Sequence, residues 1–127
     1  MDREKLAKLY KKYELSSDDV FKHKHYMIIT RAGIDKIQAI EKIQIEYKPV
    51  IAQTNFSVVH AFAYKGEARI ETFGSALKGE TSRDGNCNTW YVMEMAEKRA
   101  MSRAVLKLTG FYELGVFGED ESEDFRR

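Results

Sequence analysis

FSVVHAFAYKGEARIETFGSAL, residues 56–77, is the stretch that decides the fold of this chain. It holds two runs rich in β-branched and aromatic residues, 56–64 and 67–76, which are typical of strands. The pair Lys65-Gly66 lies between them, and glycine readily adopts the positive φ that tight turns need. The segment therefore predicts a β-hairpin with a two-residue turn.

The predicted turn determines which side chains share each face of the hairpin. One face is small and apolar, and its residues are Val59, Ala61 and Ala63 opposite Thr72, Ile70 and Ala68. The other face is aromatic and charged, and its residues are Val58, His60, Phe62 and Tyr64 opposite Phe73, Glu71, Arg69 and Glu67. We assign the small face to the core, because a helix can approach it closely. The aromatic face binds a partner, packs on a second subunit, or is an ordinary amphipathic outer face.

A long helix is predicted after the hairpin, over roughly residues 90–108 of TWYVMEMAEKRAMSRAVLKLTG (89–110). Asn88 or Thr89 can cap its start, and Gly110 ends it. A stripe of small residues runs along one side and matches the small face of the hairpin; it consists of Ala96, Ala100 and Ala104. We therefore expect this helix to pack on the hairpin.

A row of cations, Arg99, Arg103 and Lys107, follows the same helix at four-residue spacing. Like charges in such a row repel one another unless an anion is near. Phosphate groups could supply that anion, and so could Glu94 or Glu97. A solvated charged face is the remaining alternative.

The N-terminal half predicts two helices and two strands. Residues 3–13 form an amphipathic helix, and Thr30 caps a second helix whose inner side carries Ile34, Ile37 and Ile40. Strands are predicted at 26–30 and at 44–51, the latter bounded by Pro49. The pattern as a whole predicts an α+β fold, in which an antiparallel β-sheet with a central hairpin is packed on one face by the long C-terminal helix and the shorter N-terminal helices.

The charge is unevenly distributed along the 127 residues. The chain carries +1 in total, but residues 118–127 contain five acidic and two basic residues, a net of −3, which leaves +4 on residues 1–117. The acidic segment is poor in apolar residues, so we predict one domain at 1–117 and a disordered acidic tail at 118–127. Such a tail either solubilises the protein or recruits a protein partner.

Several function classes find no support in the sequence. Cys87 is the one cysteine, so an internal disulfide is excluded. His23, His25, His60 and Cys87 match no zinc spacing, and no phosphate-binding glycine loop or catalytic motif is present. We expect neither metal nor cofactor, and a protein that is not an enzyme. The charged N-terminus and the lack of a long apolar run favour a cytoplasmic protein without a membrane partner.

Residues 68–114 resemble the single-strand annealing proteins of phages and mobile elements, of the Erf and Sak type. Those families have a β-hairpin sheet followed by a helix of the form A-E-T-R-A-x-x-R-A-L and a closing glycine. The matching residues here are Ala96, Glu97, Arg99, Ala100, Arg103, Ala104 and Gly110. Lys98 stands where those families often have threonine.

The resemblance implies a homo-oligomer, often a ring, that binds single-stranded DNA in a positive groove and leaves the bases free to pair. The expected phosphate-binding residues are Arg99, Arg103, Lys107, Lys65, Arg69 and Lys78. The aromatic residues that could stack on bases are Phe62, Tyr64, Trp90 and Tyr91. The alternative hypothesis is a protein–protein adaptor or inhibitor that uses the aromatic hairpin face and the acidic tail.

Overall fold

The structure, a computed structural model, describes residues 2–81 and 84–122. Its helices are α1 (Arg3–Lys12), α2 (Arg31–Glu41), α3 (Val92–Leu108) and α4 (Glu119–Ser122). Its strands are β1 (Val20–His23), β2 (Tyr26–Ile29), β3 (Gln44–Ala52), β4 (Phe56–Lys65), β5 (Ala68–Leu77) and β6 (Val116–Gly118), and a 3₁₀ turn covers Tyr112–Leu114. Within these described ranges, no helix is long and apolar enough to cross a membrane.

Two three-stranded sheets flank helix α3. The larger sheet has the antiparallel order β3-β4-β5, and the smaller has the order β1-β2-β6, in which β2 and β6 run parallel. The predicted α+β class is confirmed, and so is an antiparallel sheet packed against the long helix. The smaller sheet was not predicted, since β6 is only three residues long and pairs with a strand far away in the chain.

The hairpin turn lies one residue later than predicted. Gly66 and Glu67 form the turn, and Lys65 pairs with Ala68. Gly66 takes the positive φ of 61° at the first turn position, the place that a type II′ turn reserves for glycine. The register consequently slips by two residues, so that Tyr64 lies opposite Arg69. Because a two-residue slip keeps the parity, every side chain remains on its predicted face.

The small face of the hairpin packs closely on α3, as expected. Ala96, Ala100 and Ala104 are all fully buried. Gly74 of β5 lies so close to the helix that a Cβ there would be 2.5 Å from the backbone nitrogen of Ala100. The Thr72 hydroxyl donates a hydrogen bond of 2.7 Å to the Ala100 carbonyl oxygen. This contact holds the helix at a fixed position on the sheet.

A second part of the core surrounds the C-terminal half of α3. It joins α1, α2 and the smaller sheet, and its largest buried side chains are Tyr13, Ile29, Ile34, Ile37, Leu106 and Phe111. Ile40, which we expected on the inner side of α2, is 43% exposed. Helix α3 therefore contacts the large sheet along one side, and α2 and β6 along another.

The acidic segment begins as folded structure, which differs from the predicted boundary at residue 118. Glu119–Ser122 form α4, and the Glu121 side chain is buried. The Ser102 hydroxyl donates a 3.2 Å hydrogen bond to the Asp120 carboxylate, and the Glu119 carboxylate accepts a 3.1 Å bond from the Arg31 backbone N–H. Composition alone predicts that these acidic residues are disordered. They fold because they have hydrogen-bond partners on α3 and α2. Residues 123–127 lie outside the described residues, and disorder there stays a prediction.

Candidate nucleic-acid interface

Arg99 is buried, contrary to the expectation that it faces a phosphate groove. Only 3% of the residue is exposed. Its guanidinium donates to three backbone carbonyl oxygens: Asn86 at 2.6 Å, Ser75 at 2.8 Å and Asp120 at 3.1 Å. Arginine suits this position because its planar fork carries several fixed donors. Arg99 thus ties together the edge of β5, the loop before α3 and the start of α4.

Arg103 lies beside Arg99 and is also engaged within the chain. Its Nε is 3.0 Å from the Glu121 carboxylate, and Nη1 donates a 3.1 Å hydrogen bond to the Phe73 carbonyl oxygen. The Arg103 side chain is 37% exposed, whereas the Glu121 side chain is 7% exposed. We therefore assign Arg103 mainly to holding α4, and both arginines of the predicted cation row have partners within the chain other than Glu94 or Glu97.

Lys107 and Lys65 also have partners. The Lys107 ammonium lies 5.1 Å from the centre of the Tyr112 ring. Lys65 Nζ is 3.4 Å from the Glu41 carboxylate and 3.5 Å from the Leu108 carbonyl oxygen. Both lysines remain partly exposed, and each could still reach an anion on the surface.

The Glu41 carboxylate serves three donors at once. It accepts a 2.9 Å hydrogen bond from the Tyr13 hydroxyl and pairs with Lys12 at 3.3 Å as well as with Lys65. Burial alone would raise the pKa of Glu41, but the hydrogen bonds from Tyr13 and Lys12 and the charge of Lys65 lower it. Glu41 is therefore ionised at neutral pH and links α1 to the end of β4.

Arg69 and Lys78, the last two predicted residues, are exposed. Arg69 lies on the solvent side of the large sheet, opposite Tyr64. Lys78 follows the end of β5, where its backbone N–H donates to the Asn55 carbonyl oxygen. The six predicted residues therefore do not form one continuous surface.

The solvent side of the large sheet carries a cluster of aromatic rings beside its charged residues. We call this surface the open face; it comprises Glu46, Lys48, His60, Phe62, Tyr64, Arg69, Glu71 and Phe73. The His60 ring lies between two others, with its centre 4.1 Å from that of Phe62 and 4.1 Å from that of Phe73. Phe73 is 49% exposed at the outer end of this stack.

Charged groups border the ring cluster. The Lys48 ammonium is 5.6 Å from the centre of the Phe62 ring, which is a cation–π contact. His60 Nε2 is 2.9 Å from the Glu71 carboxylate without forming a hydrogen bond to it, and the contact is an ion pair only when His60 is protonated. A depression of 660 Å³ lies beside Phe62, Tyr64, Arg69 and Glu71. The open face therefore combines flat rings, cations and room for a ligand.

Sequence reasoning missed Lys48 on this surface, although a signal was present. Residues alternate along β3, and Glu46 and Lys48 lie opposite Phe62 and His60. Extending the hairpin faces to a third strand would have placed Lys48 beside the rings. Trp90 and Tyr91, proposed for stacking, precede α3 and are 83% and 64% exposed.

The described part of the chain holds no group of three His, Cys, Asp or Glu side chains placed to bind a metal ion. Cys87 is buried, with its sulfur 3.5 Å from the Thr89 carbonyl oxygen.

Comparison of the chain with known protein families, curated sequences and solved structures gave no match. The resemblance to annealing proteins therefore depends on the residues themselves.

Proposed function

We propose that this protein binds single-stranded DNA on the open face of the large sheet. The observation that carries the proposal is the stack formed by Phe62, His60 and Phe73, which ends in a half-exposed ring. Every base has a flat face, so exposed rings can bind bases of any sequence, at about 1–3 kcal/mol for each base. A strand on this surface would continue the ring stack into solvent.

Cations around the rings would neutralise the phosphates. Lys48, Arg69 and Lys78 are exposed and lie on or beside the same sheet. They replace Arg99 and Arg103, whose donors are engaged within the chain. Since phosphate contacts release counterions, the affinity should fall as salt rises, whatever the sequence of the strand.

Self-association and strand annealing extend this proposal. Large apolar side chains lie exposed outside the ring stack, namely Val50, Leu77, Trp90 and Tyr91. Exposed apolar surface of this kind is common where subunits meet. Light scattering at tens of micromolar should give a mass above that of one chain, and a strict monomer would contradict the oligomer.

An adaptor that binds another protein is the second candidate function. The exposed rings of the open face favour it, because aromatic residues are enriched at protein interfaces. The folding of Glu119–Ser122 against α3 disfavours the part of that hypothesis in which the whole acidic segment recruits a partner. A salt-dependent affinity for nucleic acid distinguishes the two functions.

The test measures fluorescence anisotropy of labelled oligo(dT) and of a duplex, at low salt and at fourfold higher salt. We expect the single strand to bind more tightly than the duplex. Phe73→Leu keeps an apolar side chain but removes a ring, so it should weaken strand binding about fivefold or more. The protein should also accelerate pairing of two complementary strands if it anneals them.

Tyr26→Leu is the matched control, because it removes a ring from the smaller sheet and leaves the open face unchanged. Its strand affinity should equal that of the wild type. Absence of strand binding by the wild type at low salt would overturn the proposal. Equal losses in Phe73→Leu and Tyr26→Leu would show that the open face is not the site.

A further inference from the structure

A second concave surface lies at the end of the molecule, between α1 and the segment after α3. We call it the α1 cleft; its volume is 390 Å³ and its lining residues are Lys5, Lys8, Leu9, Lys12, Thr109, Gly110, Glu113 and Leu114. The volume is within the range of small-ligand sites, roughly 300–1,000 Å³. None of the predicted phosphate-binding residues lines it.

Three lysines give the cleft its charge. Lys5, Lys8 and Lys12 are spaced by three and four residues, so they follow one side of α1. Among residues 2–81 and 84–122, no carboxylate lies within 4.0 Å of the Lys5 or Lys8 ammonium. The lining includes a single acid, Glu113, against the three cations. Lys12 pairs with Glu41, so Lys5 and Lys8 are the two cations of the row that are suited to binding an anion.

Apolar groups form the rest of the wall. Leu9 and Leu114 are partly buried and contribute aliphatic surface. Lysine stems add further methylene groups while the ammonium groups reach solvent. A ligand with both charged and apolar parts, such as a nucleotide with its phosphate and its sugar or base, matches this lining better than a bare inorganic ion does.

The cleft lies near the hairpin end of the large sheet. Glu41 pairs with Lys12 of the cleft at 3.3 Å and with Lys65 at 3.4 Å. Lys65 is the last residue of β4. The preceding residue, Tyr64, lies opposite Arg69 on the open face. Lys65 points to the α3 side of the sheet, so the cations of the open face and those of the cleft approach one another only around the hairpin end of the sheet, with Glu41 between Lys65 and Lys12.

We propose that the α1 cleft binds phosphates of the same single strand that occupies the open face. This inference rests on the proposed function and extends its site around the hairpin turn. A polyanion that turns around the hairpin end of the sheet would meet the cations of both surfaces, and the rings of the open face suit its bases. An acidic peptide would use the lysines but would leave the ring stack unexplained.

The test compares oligo(dT) probes of about six and about twenty nucleotides, of which the longer exceeds the roughly 4–16 nucleotides that a single-strand binding fold usually covers. Lys5→Gln and Lys8→Gln are combined in one variant, and Lys12 is kept because it pairs with Glu41. The six-nucleotide probe should bind the variant and the wild type equally. Each lost phosphate contact lowers the slope of log affinity against log salt by about 0.7, so two lost contacts lower it by about 1.4. For the longer probe, a fourfold rise in salt should therefore reduce the affinity of the variant by a factor about sevenfold smaller than that for the wild type.

The control removes the same charge from the same helix. Arg3→Gln with Lys11→Gln changes two exposed cations of α1 that do not line the cleft. This control should bind both probes as the wild type does. Lys5→Arg with Lys8→Arg should restore the wild-type salt slope, and thermal unfolding should be the same for all variants.

The outcomes separate the two proposals. If the wild type binds neither probe, the proposed function itself is overturned. If the wild type binds but Lys5→Gln/Lys8→Gln leaves the affinity and salt slope for the long probe unchanged, only the cleft is overturned. Equal losses in the cleft variant and in the Arg3→Gln/Lys11→Gln control also overturn it, as does lysine-dependent binding of a labelled polyglutamate peptide without any effect on oligo(dT).

Discussion

The arginine side of α3 and the open face of the sheet both hold cations beside β5, but they use them differently. Arg99 and Arg103 direct their donors at carbonyl oxygens of the Ser75 and Phe73 backbone. Lys48 and Arg69 lie exposed beside rings instead. Position on a helix therefore does not determine where the head group of a long side chain lies. An edge strand with unpaired carbonyls can recruit a guanidinium that would otherwise remain in solvent.

The largest expected effect is on the arginine side. Arg99→Ala removes three donors and leaves the carbonyl oxygens of Ser75, Asn86 and Asp120 without these partners. Since each buried polar group that loses its partner costs about 1–3 kcal/mol, we expect unfolding free energy to fall by roughly 3–5 kcal/mol. Urea denaturation followed by circular dichroism measures this change.

Arg99→Lys is the informative companion. A lysine keeps the charge but cannot direct donors in the fixed fork that three separate carbonyls require. It should recover only a minor part of the lost stability. If Arg99→Ala were as stable as the wild type, Arg99 would contribute no more to folding than an exposed cation does. The assignment of a structural role to the arginine side would then be wrong.

The second prediction contrasts the two faces of β5 itself. Gly74 faces α3, where an added Cβ would be 2.5 Å from Ala100 N and 3.1 Å from Ala100 Cβ. Gly74→Ala should therefore lower the unfolding free energy by about 1–3 kcal/mol or more, as overpacking does. Ser75→Ala, one residue along and on the exposed face, should change it by no more than about 0.5 kcal/mol. Equal effects at the two positions would contradict the assignment of faces.

Much of the fold was predictable because its signals are local. The alternation of β4 and β5 and the alanine stripe of α3 correctly indicated which faces meet. Helix α3 begins at Val92 rather than Trp90 and has no side-chain cap, since the Thr89 hydroxyl instead accepts from the Tyr91 backbone N–H. The pairing of β2 with β6 was not predictable, because it joins short segments about ninety residues apart in the chain.

The candidate site was predictable only where strand geometry decides exposure. A residue on the outer face of a sheet has no route to the core, so the rings at Phe62 and Phe73 were placed correctly. Arg99 was placed wrongly because its partners, Asn86 and Asp120, come from a loop and from a segment expected to be disordered. Neither contact leaves a periodic signal in the sequence.

The third prediction uses the pH dependence of the arginine side. Burial raises the pKa of the Asp120 carboxyl, an effect that the nearby charge of Arg31 and the hydrogen bond from Ser102 only partly offset. A carboxyl with a raised pKa in the folded state holds its proton more tightly than in the unfolded chain. Its contribution therefore favours folding below the unfolded pKa of 3.8 and is lost as pH rises through the folded pKa.

Asp120→Asn removes this titration while keeping an oxygen that can accept from Ser102. The variant should be more stable than the wild type at pH 7, and its advantage should shrink as pH falls towards the unfolded pKa. Melting temperatures measured across this pH range test the sign. An advantage that grows on acidification would show that the ionised carboxylate stabilises α4.

The smallest effect on stability is expected at the open face, where we expect the cations to contribute little to folding. Lys48→Gln and Arg69→Gln together remove two exposed cations, and Lys48 lies 5.6 Å from the Phe62 ring centre. An exposed cation–π contact contributes roughly 0.5–1 kcal/mol at most, so the unfolding free energy should change by less than about 1 kcal/mol. Strand binding should respond more strongly, because two lost phosphate contacts would lower the salt slope by about 1.4.

If the double variant instead lost several kcal/mol of stability, as expected for Arg99→Ala, the open-face cations would also be structural. The distinction between the two regions would then fail, whereas a stable variant with a reduced salt slope would assign the cations of the open face to binding.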